Sequence, residues 1–413
     1  MSAAPWQQGL QYGLLGLPLA FVALPLYVSL PAHYAREYGL PLAQLGALLL
    51  GARCIDALAD PWIGRQADRW LRPGRWVAVM GSAAALMALC FAGLFFPVPQ
   101  GGTALLAWSG ALLVLGYLAY SVLAVTHQAW GARLGGAALH QTRLVAWREG
   151  LGLLGVLGAS VLMSQAGWGW TTALLVIGLL LGLAALRRVA LPGPEQAPEP
   201  KPFGLAWRYP VFRRLLGVYA LNGIAAAIPA TLLLFFVRDR LQAPEWEAAF
   251  LLTYFAAAAL ALPLWLRAVA RLGQARSWAL GMLLAIAGFI GVLGLEAGDR
   301  ALFLLVCAVT GAAAGADLAV PAAMLTRVVQ RSGLTGHAEG SFFGWWTATT
   351  KLNLALAAGL ALPLLQGLGY REGARDAASL QALTLCYALL PCLLKALALG
   401  LLWRCFGRDK DSL

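Results

Sequence analysis

The chain has 413 residues, 61% of them hydrophobic and only 12% charged, with 30 Lys and Arg against 18 Asp and Glu for a net charge of +12. Its mean hydropathy of +0.73 excludes a soluble globular domain. The basic excess does not mark a nucleic-acid partner, because it is spread between long apolar runs rather than gathered in one patch.

Twelve of those runs are long enough to cross about 30 Å of hydrocarbon. They lie at 9–31, 41–63, 76–96, 103–128, 145–165, 168–186, 214–237, 246–266, 277–296, 301–326, 341–366 and 378–403. The first is too long for a signal-peptide core and no Lys or Arg precedes it, so it is read as a span. With the N-terminus inside, 21 of the 30 basic residues fall on the inner side. Six lie outside (Arg36, Arg238, Arg240, Arg300, Arg371, Arg375) and three within spans (Arg53, Lys351, Lys395). This asymmetry predicts a multi-pass protein with both termini cytoplasmic. The expected setting is a bacterial cytoplasmic (inner) membrane, with lipid and a small-molecule substrate as partners and a monomer as the working unit.

The second span carries the strongest signal. Arg53, Asp56 and Asp60 share one helical face within GLPLAQLGALLLGARCIDALADPWIG, residues 39–64. A carboxylate near a bilayer centre costs about 2.5–3.5 kcal/mol on insertion scales. A structural pair with Arg53 would neutralise one acid and leave the other, which then needs a proton, a metal ion or a second base. Carboxylate oxygens suit a small hard cation such as Na⁺, and two close carboxylates can also share one proton. The span ends in a basic turn, Gly64-x-x-x-Asp68-Arg69 followed by Arg72, Gly74 and Arg75. Gly64 allows helices to approach, and Asp68 can cap or pair across the inner ends of a bundle.

Further along, His127 of the fourth span can line a cavity or satisfy a helix contact. PGPEQAPEPKP at 192–202 reads as a flexible cytoplasmic linker. It divides the chain into a six-span half at 1–190, a linker at 191–210 and a second half at 211–413. The basic turns at 62–81 and 265–282 occupy equivalent places in the two halves. The expected fold is therefore an all-α membrane protein of twelve transmembrane helices in two six-helix halves, the major facilitator fold. In the tenth span Asp317 is either a partner for Lys351, part of a proton path, or a buried structural pair. Lys351 stands out in a chain with 26 Arg and four Lys, about ten residues into the eleventh span. Trp345 and Trp346 lie deep enough for one to stack on substrate, whereas Lys395 of the last span can snorkel or pair and carries no assigned function. All six cysteines sit in or beside spans with no C-x-x-C pair, so neither a structural metal nor a cofactor is expected.

Three stretches together resemble the glycoside–pentoside–hexuronide:cation symporters, the family of melibiose permease. They are YGLPLAQLGALLLGARCIDALADPWIGRQADR, then LAYSVLAVTHQAWGARL with RLVAWREG, then EGSFFGWWTATTKLNLALAAGLA, in which Glu339 precedes Lys351 by twelve residues. The resemblance implies that Asp56 and Asp60 bind the coupling cation with the hydroxyl of Ser121. It also implies that Arg148 and Lys351 border the substrate and cation cavity. Adjacent helix residues diverge by about 100°, so Arg148 is expected to face the cavity and Glu149 to act as a cap or cytoplasmic pair. The chain departs from the sugar permeases where their substrate-binding acids stand, at Ala20 and Ala124, where an aromatic platform becomes Gln128, and where an amide becomes Ala59. An alanine cannot replace a carboxylate that selects sugar hydroxyls.

The function expected from these readings is cation-coupled symport, with Na⁺ or H⁺, of a small organic solute that is sugar-like or amphiphilic. The alternative is a lysolipid or lipid-like anion transporter of the same fold, with its head held by Arg148 and Lys351. A membrane-embedded lipid-modifying enzyme would need H-x-x-x-x-D, H-E-x-x-H, G-x-S-x-G or a Cys/His cluster. None occurs in the sequence, and the chain is not expected to be an enzyme.

Overall fold

The computed structural model describes residues 5–72, 74–99, 102–165, 167–190, 202–371, 373 and 375–407. The predicted linker at 192–202 falls outside them, apart from Pro202. The described chain is helical throughout, in the order α1 (Pro5–Gly13), α2 (Gly16–Phe21), α3 (Leu30–Tyr38), α4 (Leu42–Trp70), α5 (Arg75–Phe95), α6 (Gly102–Arg133), α7 (Ala138–Gln165), α8 (Trp168–Leu186), α9 (Pro210–Phe235), α10 (Glu247–Leu272), α11 (Gln274–Ile290), α12 (Arg300–Arg331), α13 (Glu339–Gly367), α14 (Ala377–Thr384) and α15 (Leu390–Phe406).

Among the described residues nine helices are long and apolar enough to cross a membrane, so the expected twelve are not all recovered by length and apolarity alone. The first predicted span explains part of the gap. It is broken into α1, α2, a five-residue π turn at Pro25–Ser29 and α3. Pro18, Pro25 and Pro31 lie along it, and each removes an amide donor from the helical ladder. Gly39 closes α3 with φ 66, a left-handed conformation that a Cβ would disfavour.

The chain divides into two compact units, the first made of 1–208 and 329–348, the second of 209–328 and 349–413. In the first unit α4 and α5 pack along α6, while α7 lies against α1 and α2. Its core gathers Tyr12, Leu19, Phe91, Phe95 and Trp130. In the second unit α15 packs against α9 and α11, over a core of Phe236, Phe250, Phe303 and Tyr387. The outward faces are leucine-rich: Leu58 and Leu260 are 79% and 77% exposed. Large apolar side chains displayed this widely on long helices face lipid rather than water.

Candidate functional site

Helix α4 sorts its residues by face. Ile55, Leu58 and Trp62 are exposed, while Asp56, Asp60 and Gly64 are buried on the other side. The acids are 2% and 0% exposed. The four-residue spacing predicted this shared face. Ser121 of α6 donates its hydroxyl to Asp56 Oδ1 at 2.5 Å, across 65 residues of sequence. A hydroxyl bound to a carboxylate withdrawn from water is a strong, charge-assisted contact. Arg53, one turn before Asp56, is half-buried.

A cavity of about 460 Å³ opens in the first unit. Ala20 of α2, Ala124 and Gln128 of α6, and Arg148 of α7 line it together, with Tyr120 and His127. Four positions singled out in the sequence thus meet at one wall. Asp56, Asp60 and Ser121 do not line that cavity. Gln128 lies 3.5 Å from the Thr347 hydroxyl. His127 does both things considered for it: it lines the cavity, and its Nε2 lies 2.8 Å from the Tyr12 carbonyl oxygen. Glu149 departs from the expected role of a cap or cytoplasmic pair. It lines the same cavity and binds Arg148 at 2.5 Å. Two long side chains from neighbouring positions can bend toward one space even though their Cα–Cβ bonds diverge.

At the C-terminal end of α4, the Asp68 carboxylate accepts the amides of Gly340 at 2.6 Å and Ser341 at 3.0 Å, and the Ser341 hydroxyl at 2.6 Å. Arg133 of α6 donates to Glu339 at 3.2 Å and to the Leu71 carbonyl at 2.5 Å. The predicted motif residue Arg69 is not in this latch. It contacts Gln66, one turn back along its own helix, at 3.4 Å. Gly64 permits the approach. A Cβ on Gly344 would stand 2.6 Å from the Asp60 carbonyl oxygen, and one on Gly64 2.7 Å from the Gly344 Cα. Arg133 lies inside the stretch 118–134 but carries no motif of its own. Its signal was only that of a basic residue at the inner end of a span.

Asp317 of α12 belongs to the second unit, and the ammonium that meets it is Lys395 of α15 at 2.9 Å, not Lys351. Lys395 does not snorkel; it is 2% exposed. Lys351 is half-buried on α13, and Trp346, in the first unit, is 3% exposed. Among the described residues no group of three or more His, Cys, Asp or Glu could hold a metal ion.

The curated proteins contain no sequence match to this chain. Solved structures do match it in fold. A bacterial homologue of the iron transporter ferroportin, crystallised in an outward-facing state, aligns with a TM-score of 0.72 at 17% identity, covering 95% of this chain and 98% of that one. The E. coli fucose:proton symporter aligns with a TM-score of 0.65 at 13% identity, covering 95% and 98%. A proton:xylose symporter bound to 6-bromo-6-deoxy-D-glucose gives 0.65 at 13% identity, covering 99% and 96%. At such identities the likeness is one of fold. The family model described as MFS/sugar transport protein matches residues 11–406, nearly the full length. The chain therefore belongs to that family, as a membrane transporter of the major facilitator superfamily.

Proposed function

We propose that this chain is a cation-coupled secondary transporter, a symporter that moves a small organic solute, sugar-like or amphiphilic, across a bacterial inner membrane. One observation carries the reading: Ser121 is bound to Asp56 at 2.5 Å one helical turn from Asp60, with both acids shut away from solvent. Buried acids at membrane depth are costly and are functional by default. In this reading Na⁺ or H⁺ settles on Asp56 and Asp60 with the Ser121 oxygen beside them. Its arrival cancels negative charge on α4 and frees Arg53, Arg148 or Lys351 to engage substrate. The halves then alternate access to the two sides. The cytoplasmic gate in this scheme is Gly64 and Asp68 with Ser341, rather than Arg69.

The cavity lined by Ala20, Ala124 and Gln128 supports a substrate held by fewer charged contacts than a sugar permease offers. A lysolipid or lipid-like anion is the second reading, favoured by Arg148 in the cavity wall. Glu149 opposes it, because it already balances that guanidinium at 2.5 Å. A neutral or zwitterionic head suits the balanced pair better.

The test is uptake into liposomes holding the purified protein under an imposed Na⁺ or H⁺ gradient, with radiolabelled glycosides and lysolipids as probes. Asp56→Asn and Asp60→Asn are each expected to abolish accumulation against a gradient. Full accumulation in both variants removes the proposal.

A further inference from the structure

A second polar cluster lies wholly within the second unit. Asn222 of α9, Trp278 of α11, Asp317 of α12 and Lys395 of α15 each supply one polar group. Asp317 Oδ1 accepts from Asn222 Nδ2 at 2.9 Å and from Trp278 Nε1 at 2.8 Å. Lys395 Nζ donates to Asp317 Oδ2 at 2.9 Å and to Asn222 Oδ1 at 2.7 Å. A purely structural pair would be walled in on all sides. This one borders a partly open cavity.

The pair does not meet that cavity evenly. The Asp317 side chain keeps 18% of its surface exposed, the Lys395 side chain 3%. The two charges cancel overall, but the end left accessible is the carboxylate. Oδ2 takes a single donor, Lys395, so it retains acceptor capacity. The remaining wall is apolar and rich in rings: Phe250, Tyr254, Phe255, Phe289 and Tyr387. Aromatic faces carry negative quadrupole density and attract cations, most strongly where water is absent. Tyr387 belongs to a five-residue π turn, Leu385–Leu389, that interrupts the last span. Such turns are rare and often mark functional positions.

Lys395 also lines the cavity, but with its side chain 3% exposed an anion entering here would meet the carboxylate and ring faces ahead of the ammonium. A sugar would find too few hydrogen-bonding groups for its hydroxyls. We propose that the second unit holds a binding site for a lipophilic organic cation, its charge against Asp317 and its hydrocarbon against the rings. A hydrophobic quaternary ammonium, a phosphonium or a protonated alkyl amine fits this description. The site is independent of cation coupling at Asp56 and Asp60, since its test reads binding and not transport.

The experiment is equilibrium binding of tritiated tetraphenylphosphonium to the purified full-length protein in lipid nanodiscs. Tetraphenylborate, of the same shape and opposite charge, is the matched control. Saturable binding of the cation and much weaker binding of the anion are expected. The charge-balanced double variant Asp317→Asn with Lys395→Met should weaken cation binding roughly tenfold. Ala314→Phe, which narrows the cavity while leaving both charged side chains in the sequence, should weaken it at least as much; if the double variant fails to elute as a monodisperse protein, Ala314→Phe decides alone. No saturable cation binding, equal binding of the borate, or wild-type affinity in either folded variant overturns the proposal.

Discussion

Ser121 contributes more than an ordinary hydroxyl contact because its acceptor is a carboxylate cut off from water. Hydrogen bonds to charged groups are worth about 1.5–3 kcal/mol. Ser121→Ala should therefore raise the half-saturating concentration of the coupling ion by roughly tenfold or more, while Ser121→Thr keeps it near wild type. Cation titrations of uptake measure this, and an unchanged midpoint in the alanine variant removes Ser121 from the site. Lys395 is a stability residue as well. Removing one partner of a buried pair costs about 3–5 kcal/mol, whereas removing both costs less. Thermal unfolding in detergent should rank Lys395→Met below the double variant with Asp317→Asn. At the N-terminal start of α14 the Ser379 amide donates to Asp376 at 2.9 Å and holds its carboxyl below the ordinary carboxylate value. A depressed acid stabilises the folded state above its unfolded value and loses that contribution as pH falls through the folded one. The protection of the Ser379 amide, its exchange rate set against the intrinsic base-catalysed rate at each pH, should accordingly fall in acid, and protection flat with pH would show that the cap contributes nothing. The two acids were legible in the sequence, because the cost of a charge in an apolar run is local, whereas Ser121, 65 residues from Asp56, was reached only through the family resemblance. The counterparts of these groups elsewhere were not legible. Asp317 and Lys395 are 78 residues apart and Arg133 and Glu339 are 206 apart, and no local pattern states which helices converge.

At the scale of elements, α4 and the start of α13 touch backbone to backbone through Gly64, Gly340 and Gly344. Latching by Asp68 depends on that closeness, since its acceptor oxygens reach main-chain amides. Gly344→Leu should push the helices apart and break the latch. The expected readout is faster alkylation of a cysteine placed at Ser341, with no change if the side chain finds room. Of the three residues in the basic turn, Gly64 and Asp68 meet the start of α13, and Arg69 does not. A guanidinium at the end of a helix can turn back along its own surface, and Arg69 does so toward Gln66. Apolar length foretold the long helices but not the breaks. Pro61, Pro229, Pro263, Pro321 and Pro363 are carried inside continuous helices, while the first span, with three prolines, is divided. In a membrane protein neighbouring helices can re-satisfy the groups a proline frees, so the residue alone does not decide between bend and break.

For the molecule as a whole, charge and apolarity argue from opposite sides. Basic residues crowd the predicted inner loops, and exposed leucines cover the long helices. Alkaline phosphatase fused after residue 413 should stay inactive in cells while a fluorescent protein at the same point glows; the reverse pattern would invert the proposed orientation. The first unit also gives its opening segments an unusual dependence. α1 and α2 are short, and they rest on α7, where Gly16 comes so close that a Cβ would stand 2.6 Å from the Arg148 carbonyl oxygen. During synthesis, α1 and α2 therefore leave the ribosome well before the helix that will hold them. Until residues 138–165 follow, these broken segments lack the helix they chiefly pack against and have only α6, through Tyr12 and His127, to meet. Nascent chains arrested before that point should remain crosslinkable to the translocation channel, and longer ones should be released into the bilayer.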